Sequence, residues 1–150
     1  MRCLLCGLLC VSVGLSYPQS KTATSELHST LTALRDRNAS RSLLSQRLAA
    51  EIMSLTDRDR RPSPHTVSEF ADEFVGALIG KDLTQAQVTN LQRSITEMLD
   101  ASTTRNYVPA SRLRETVTAL RVDPSERQAI TRDFIAIGEE IRGPDDSPVR

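Results

Sequence analysis

Apolar residues recur every three or four positions along most of the chain, which is the spacing of one face of an α-helix. In residues 25–55 this pattern indicates either one long helix or two helices that meet near residues 38–40. The strongest apolar face follows, in a helix that Ser63 and Pro64 are predicted to begin and Gly80 to end. Its apolar positions are Val67, Phe70, Ala71, Phe74, Val75, Leu78 and Ile79. Because this face holds two of the three phenylalanines, we expect it to anchor the hydrophobic core.

Three further helices are predicted from the residues at which they begin. Thr84 can accept a hydrogen bond from the amide of Gln87 while the Gln87 side chain bonds the Thr84 amide, which is a capping box. Pro109 is predicted to open a short helix, and Asp123 with Pro124 to open the last one. No segment alternates β-branched or aromatic residues with polar ones, so strands are not expected. We therefore predict an all-α protein, a small bundle or irregular array of four to five helices.

Changes in composition divide the chain into five segments. These are a signal peptide (1–16), an N-terminal helical region (22–56), a charged, proline-containing linker (57–64), a compact helical domain (65–143) and a disordered tail (144–150). The compact domain has about 80 residues, near the lower size at which one hydrophobic core suffices. The sequence leaves open whether the N-terminal helical region docks on this domain, binds a partner or stays loosely attached.

Residues 1–16 have the features of a secretory signal peptide. One basic residue, Arg2, precedes an apolar run, and the small residues Gly14 and Ser16 stand three and one positions before the predicted cleavage at Tyr17. As a helix the apolar run would span on the order of 20 Å, too short for a hydrocarbon core of roughly 30 Å. We therefore predict an exported bacterial protein, periplasmic or extracellular, with no stable membrane span after cleavage. An uncleaved anchor is the alternative.

All three cysteines, at positions 3, 6 and 10, lie inside the predicted signal peptide. Cleavage would leave the mature chain without a thiol, which excludes disulfides and a thiol nucleophile. Leucine precedes both Cys6 and Cys10, whereas lipoprotein signals place a small residue there, so lipidation is not predicted.

Charge and motif content narrow the classes of function. The chain has 19 Lys and Arg against 19 Asp and Glu, and this balance disfavours a nucleic-acid-binding protein. It contains no Gly-x-Ser-x-Gly elbow and no phosphate-binding glycine loop, and its only imidazoles are His28 and His65. The sequence therefore assigns no catalytic, cofactor-binding or metal-ligating residue, requires no cofactor and does not favour an enzyme.

One helix face is nevertheless a candidate for metal binding or hydrolysis. His65, Glu69 and Glu73 follow one another at four-residue spacing, so their side chains could converge on an ion. Asp72 lies beside them, and His28 is the other imidazole that could complete a ligand set. At about 100° per residue, however, these positions lie opposite the apolar face of the same helix. The simpler interpretation is a solvated charged face.

A leucine repeat in the N-terminal helical region raises the possibility of self-association. Leu27, Leu31 and Leu34 fit part of a coiled-coil repeat. Asn38 falls at the next seam position, where a buried asparagine can set the register, whereas Arg41 at the following one breaks the repeat. This break favours an ordinary amphipathic helix that packs within its own chain.

The stretch Leu83-Thr84-Gln85-Ala86-Gln87 resembles the Leu-Thr-x-x-Gln motif of the small periplasmic helical proteins related to Spy and CpxP. The resemblance implies a signal-bearing, all-helical, extracytoplasmic protein that dimerises and acts as a chaperone or stress-sensor modulator. The family usually has a second copy of the motif, whereas the later helix start here is Val-Asp-Pro-Ser-Glu-Arg-Gln at 122–128. No client-binding residue is carried over.

Two functional hypotheses follow. The first is a small exported helical interaction or structural module, chaperone-like if the resemblance holds, with a protein partner or a second copy of itself. It predicts an exposed groove and no titratable cluster with shifted pKa values. The alternative is an exported hydrolase or metal-binding protein, which predicts that Glu69, Asp72 and Glu73 converge with His65 or His28 in a pocket.

Overall fold

The computed structural model describes residues 18–100 and 107–143 of the chain, and within them the protein is all-helical, with no β-strand. The predicted fold class is therefore confirmed for this part of the chain. In order, the helices are α1 (Pro18–Ala33), α2 (Arg41–Leu55), α3 (Pro64–Leu78), α4 (Gln85–Leu99), α5 (Tyr107–Ala119) and α6 (Pro124–Arg142). A short 3-10 turn, Arg58–Arg60, lies between α2 and α3. The predicted signal peptide and C-terminal tail lie outside the described residues.

The N-terminal helical region forms two helices, so the described residues contain six α-helices rather than the predicted four to five. The break occurs because polar side chains compete for the backbone near residue 38. The Asp36 carboxylate accepts a bond of 2.9 Å from the amide of Asn38. The Ser40 side chain accepts a bond of 3.3 Å from the amide of Leu43 and so caps α2.

The start of α4 is the predicted capping box. The Thr84 side chain accepts a hydrogen bond of 3.2 Å from the amide of Gln87, and the Gln87 side chain accepts one of 2.9 Å from the amide of Thr84. Two backbone donors that have no partner inside the helix are thereby satisfied. This start is local in sequence, which is why the residue pattern predicts it correctly.

Other helix starts differ from the prediction in detail. Ser63 and Asp123 precede α3 and α6 as expected, but neither side chain makes a capping hydrogen bond. The amide of Ser63 instead donates to the Glu140 carboxylate of α6 at 2.7 Å. The prediction that Pro109 opens α5 is wrong, since the helix begins at Tyr107. Proline is tolerated anywhere in the first turn, where backbone N–H groups have no helical acceptor.

One hydrophobic core receives side chains from all six α-helices. Its largest members are the three phenylalanines, Phe70 and Phe74 of α3 and Phe134 of α6, which are fully buried. The centroid of the Phe70 ring lies 5.3 Å from that of Phe74 and 5.4 Å from that of Phe134. These separations are in the favourable range for aromatic pairs, so α3 anchors the core against α6 as its apolar face predicts.

The N-terminal helical region docks on the rest of the chain. Helix α1 packs against α2 and α4, and α2 packs against α3. Leu27, Leu31 and Leu34 are each 0% exposed and belong to the common core. Asn38 lies beyond the end of α1 in an exposed turn, where it cannot continue a seam. The leucine repeat is therefore the face of an ordinary amphipathic helix, buried within its own chain.

Helix α6 is the longest, at 19 residues, and it packs on α3, α4 and α5. Its inner face buries Ile130, Phe134, Ile137 and Ile141, together with one acidic residue, Asp133. Across residues 18–100 and 107–143, no helix is both long enough and apolar enough to cross a membrane.

Candidate functional site

The structure does not bring together the residues of the predicted metal or hydrolytic face. His65 and Glu69 form an exposed pair, with 3.2 Å between His65 Nε2 and Glu69 Oε1 and side chains that are 81% and 53% exposed. Asp72 pairs with Arg41 of α2 at 3.2 Å, whereas Glu73 contacts α6. In the described part of the chain, no three His, Cys, Asp or Glu side chains are placed to hold a metal ion. The face has no convergent geometry.

His28, the other candidate ligand, joins α1 to α4. Its Nδ1 lies 2.7 Å from Gln92 Oε1, and its Nε2 lies 3.3 Å from Gln85 Nε2. An imidazole that carries its proton on Nδ1 satisfies both contacts, because it then donates to the Gln92 carbonyl and accepts from the Gln85 amide. Gln92 also donates to the backbone carbonyl of Thr24 at 3.4 Å. Both ring nitrogens are thus engaged in holding two helices together.

A carboxyl pair that the sequence reasoning missed joins α3 to α6. Glu73 of α3 and Asp133 of α6 lie close enough across the helix interface for Asp133 to raise the pKa of the Glu73 carboxyl. Asp133 is only 6% exposed, and its Oδ1 accepts a bond of 2.9 Å from Arg132 Nε. Glu73 Oε2 and Asp133 Oδ2 are buried and have no donor among the described residues. Two ionised carboxylates only accept hydrogen bonds, so this pair bonds only when one of them holds a proton.

The environment places that proton on Glu73. Burial raises the pKa of the Glu73 carboxyl from 4.5 to about 7, and the hydrogen bond to Asp133 and the Asp133 charge act in the same direction. Arg132 opposes the shift, and Glu69 adds to it. Glu73 is therefore partly protonated near neutral pH.

A signal for the carboxyl pair exists in the sequence, although it is incomplete. Asp133 stands three positions after Ile130 and directly before Phe134, within the apolar face of its helix. Glu73 likewise stands three positions after Phe70 and directly before Phe74, and it is half-buried, so the interpretation of a solvated charged face is wrong for this residue. An acid at such a position is a candidate for a buried group. The pattern of a single helix cannot show that two such acids on different helices meet.

A second buried acid joins α1 to α2. Glu51 is 7% exposed, and its Oε1 accepts a bond of 2.6 Å from the hydroxyl of Thr30. Burial raises the pKa of Glu51, whereas the Thr30 bond and the charge of Arg47 oppose the change. We interpret this pair as a structural contact between two helices.

An open groove of about 680 Å³ runs along α6 beside α5. Ile135 and Ala136 are half-buried there and form its apolar floor, and Pro124 adds apolar surface near one end. Ile135 lies off the main apolar face of α6, which is the sequence signal that an additional surface exists. The size and the apolar floor are typical of a ligand or peptide site.

Three arginines surround this floor. They are Arg114 of α5 and Arg127 and Arg132 of α6. Arg127 Nη1 donates to the Thr118 hydroxyl at 3.0 Å, which positions its guanidinium between the two helices. The lining contains one carboxylate, Glu139, toward the other end of the groove. The arginine end of the groove is therefore an environment that attracts anionic groups.

The groove and the carboxyl pair share one residue. Arg132 lines the groove and also bonds Asp133 of the carboxyl pair. Arg132 thus connects the groove to the buried carboxyl pair. Comparison with protein-family models, with curated proteins and with solved structures finds no match to this chain.

Proposed function

We propose that this protein is an exported helical interaction module that binds an acidic, partly apolar segment of a partner protein in the groove between α5 and α6. The observation that carries the proposal is the composition of the groove, in which Ile135 and Ala136 lie among three arginines. Burial of apolar side chains on such a floor supplies affinity, and guanidinium groups orient carboxylates by charge-assisted hydrogen bonds.

The length of the groove supports a peptide segment as its occupant. Its lining extends along α6 from Pro124 to Glu139, which corresponds to about 22 Å at a rise of 1.5 Å per residue. Four turns of a partner helix cover this distance. Such a helix would place apolar residues three and four positions apart on the floor and carboxylates beside the arginines.

Charge distribution favours a protein partner over a nucleic acid. The chain has a formal net charge of zero, whereas binding to a phosphate backbone needs a basic surplus over an extended surface. The positive charge at the groove is limited to three arginines, with Glu139 in the same lining and Asp133 bonded to Arg132. A hydrolytic or metal site on α3 has no comparable support, because His65, Glu69, Asp72 and Glu73 contact different partners.

The proposal includes export and a chaperone-like role. Export rests on the features of residues 1–16, and the chaperone-like role and dimerisation rest on the resemblance at Leu83–Gln87. That stretch forms the start of α4, and it is not part of the groove lining.

The test is fluorescence anisotropy with a synthetic amphipathic peptide that carries leucines on one face and glutamates beside them. We expect saturable binding, and no binding of the same peptide with lysine in place of glutamate. Arg127→Glu is expected to weaken binding at least tenfold, which is about 1.4 kcal/mol. Arg58→Glu, on the exposed 3-10 turn outside the groove, is the matched control and should leave binding unchanged.

Two outcomes would overturn this function. One is that neither peptide binds, or that both variants lose binding equally. The other is that a single-stranded oligonucleotide competes for the same arginines more strongly than the peptide. Circular dichroism of each variant ensures that a loss of binding is not a loss of fold, and Arg114→Glu provides a second change at the groove if Arg127→Glu unfolds.

A further inference from the structure

Glu73 and Asp133 present two buried acceptor atoms that no other described residue satisfies. Buried polar atoms in native proteins nearly always have a partner, so the contact between these carboxyls requires an explanation. One proton shared by the pair supplies a donor and satisfies both oxygens. Arg132 Nε already donates to Asp133, and burial raises the pKa of Glu73, so Glu73 is the member that holds the proton.

The charged groups around the pair come from the two helices that form the interface. Helix α6 contributes Asp133 and Arg132, and Glu69 lies on the same helix as Glu73. Other charged residues on the helices that pack against α3 have their own partners. From α2, Arg41 pairs with Asp72, and from α6, Glu140 accepts bonds of 2.7 Å from the amide of Ser63 and the hydroxyl of Thr66.

Protonation of Glu73 changes the electrostatic environment of Arg132. When Glu73 is neutral, the Arg132 guanidinium has one ionised carboxylate of the pair beside it. When Glu73 ionises, a second negative charge holds the guanidinium more strongly and offsets more of its positive charge. Arg132 also lines the groove, so an anionic ligand meets a weaker positive potential when Glu73 is ionised.

We propose that Glu73 and Asp133 form a proton switch between α3 and α6 that controls how strongly Arg132 is held, so that the groove binds an acidic segment more tightly as the pH falls through neutrality. The last clause rests on the proposed function of the groove, whereas the proton switch itself does not. By linkage, binding of the acidic segment favours the protonated form, and binding near neutral pH takes up protons.

The first measurement tests the switch without any ligand. The side-chain carboxyl carbon of Glu73 is followed by NMR in the wild-type protein, assigned by comparison with Glu73→Gln. We expect its titration midpoint near pH 7 and a shift of the Arg132 Nε resonance with the same midpoint. A midpoint near 4.5, the ordinary value for a glutamate, would overturn the switch.

The second measurement compares the affinity for the glutamate peptide at pH 6 and pH 8. A charge several ångströms from Arg132 in a partly solvated site changes the affinity by about threefold, and the tighter binding is expected at pH 6. Glu73→Gln retains an amide donor toward Asp133 and carries no charge, so it should bind equally at both pH values.

Two matched variants separate the pair from its surroundings. Glu69→Gln removes an exposed carboxylate from the same helix and should retain the pH dependence of the wild type. His65→Gln removes the imidazole of that helix and should also retain the pH dependence of the wild type.

If Glu73 titrates near pH 7 but wild type and Glu73→Gln show the same pH dependence, the coupling to the groove is refuted. If the peptide does not bind at any pH, the proposed function fails while the NMR titration still decides the switch.

Discussion

Replacing Glu73 by glutamine is expected to remove a pH dependence from the stability of the fold. The pKa of Glu73 is about 7 in the folded protein and 4.5 when the side chain has no contacts, as in the unfolded state. Between these pH values the native state therefore binds more protons than the unfolded state. The stabilisation is complete below pH 4.5 and is lost as the pH rises through 7. Wild type should therefore become less stable from pH 5 to pH 8, while Glu73→Gln does not show this component.

The two pKa values set the size of the effect. A difference of about 2.5 pKa units corresponds to at most about 3.4 kcal/mol, since each unit is worth about 1.36 kcal/mol. Glu73 is half-buried, so solvent screening reduces this figure, and we expect on the order of 1–2 kcal/mol. Glu51 has a raised pKa and contributes in the same direction, whereas Glu97 has a lowered pKa because Arg112 and Arg93 hydrogen-bond it. Glu51 and Glu97 are present in both proteins, so their contributions cancel in the difference.

The assay is urea unfolding at constant ionic strength from pH 5 to pH 8, followed by circular dichroism. The free energy of unfolding of wild type minus that of Glu73→Gln is plotted against pH, and Glu69→Gln serves as the exposed control on the same helix. If the free energy of unfolding changes with pH equally in wild type and Glu73→Gln, the reasoning is refuted. It is also refuted if wild type gains stability relative to Glu73→Gln from pH 5 to pH 8.

Four further results are expected. Gly76→Ala places a Cβ 2.6 Å from the end of the Arg41 side chain, which can move away. The higher helix propensity of alanine stabilises the fold by about 0.8–1 kcal/mol. Loss of the exposed Arg41–Asp72 ion pair, worth about 0.2–1 kcal/mol, offsets this stabilisation. Thermal unfolding should show little net change, and the full gain should appear when Arg41 is already alanine. Thr84→Ala should cost about 1 kcal/mol through loss of the capping box, measured against Thr89→Ala, an exposed position in the same helix. Phe134→Ala should cost about 3–5 kcal/mol in the same assay because it leaves a cavity beside Phe70 in the core. Amino-terminal sequencing of the protein recovered from the bacterial envelope should begin at Tyr17, and recovery of the intact N-terminus would contradict export with cleavage.

Local features of the fold follow from neighbouring residues alone. The start of α4 depends on Thr84 and Gln87, which are three positions apart, and the start of α3 at Pro64 depends on the conformation of proline itself. The apolar face that contains Phe70 and Phe74 is a matter of helical spacing. These interactions lie within one turn of a helix, so a sequence pattern contains all the partners involved.

The error at the start of α5 has a related cause. Pro109 is compatible with several positions in the first turn, because none of those backbone N–H groups has an acceptor within the helix. A proline indicates the first turn of a helix without determining its first residue.

The sequence by itself determined the helical class, the capping box at α4 and the residues that face the core, because each of these depends on contacts within a few positions. Only the tertiary structure decided that α1 and α2 dock on the remaining helices, that Glu73 meets Asp133, and that arginines of α5 and α6 surround one groove. The partners in these contacts are far apart in the sequence, 60 positions for Glu73 and Asp133 and 64 for His28 and Gln92, and each belongs to a different helix. Helical periodicity specifies which way a side chain faces on its own helix, whereas the packing of helices against one another specifies what it meets.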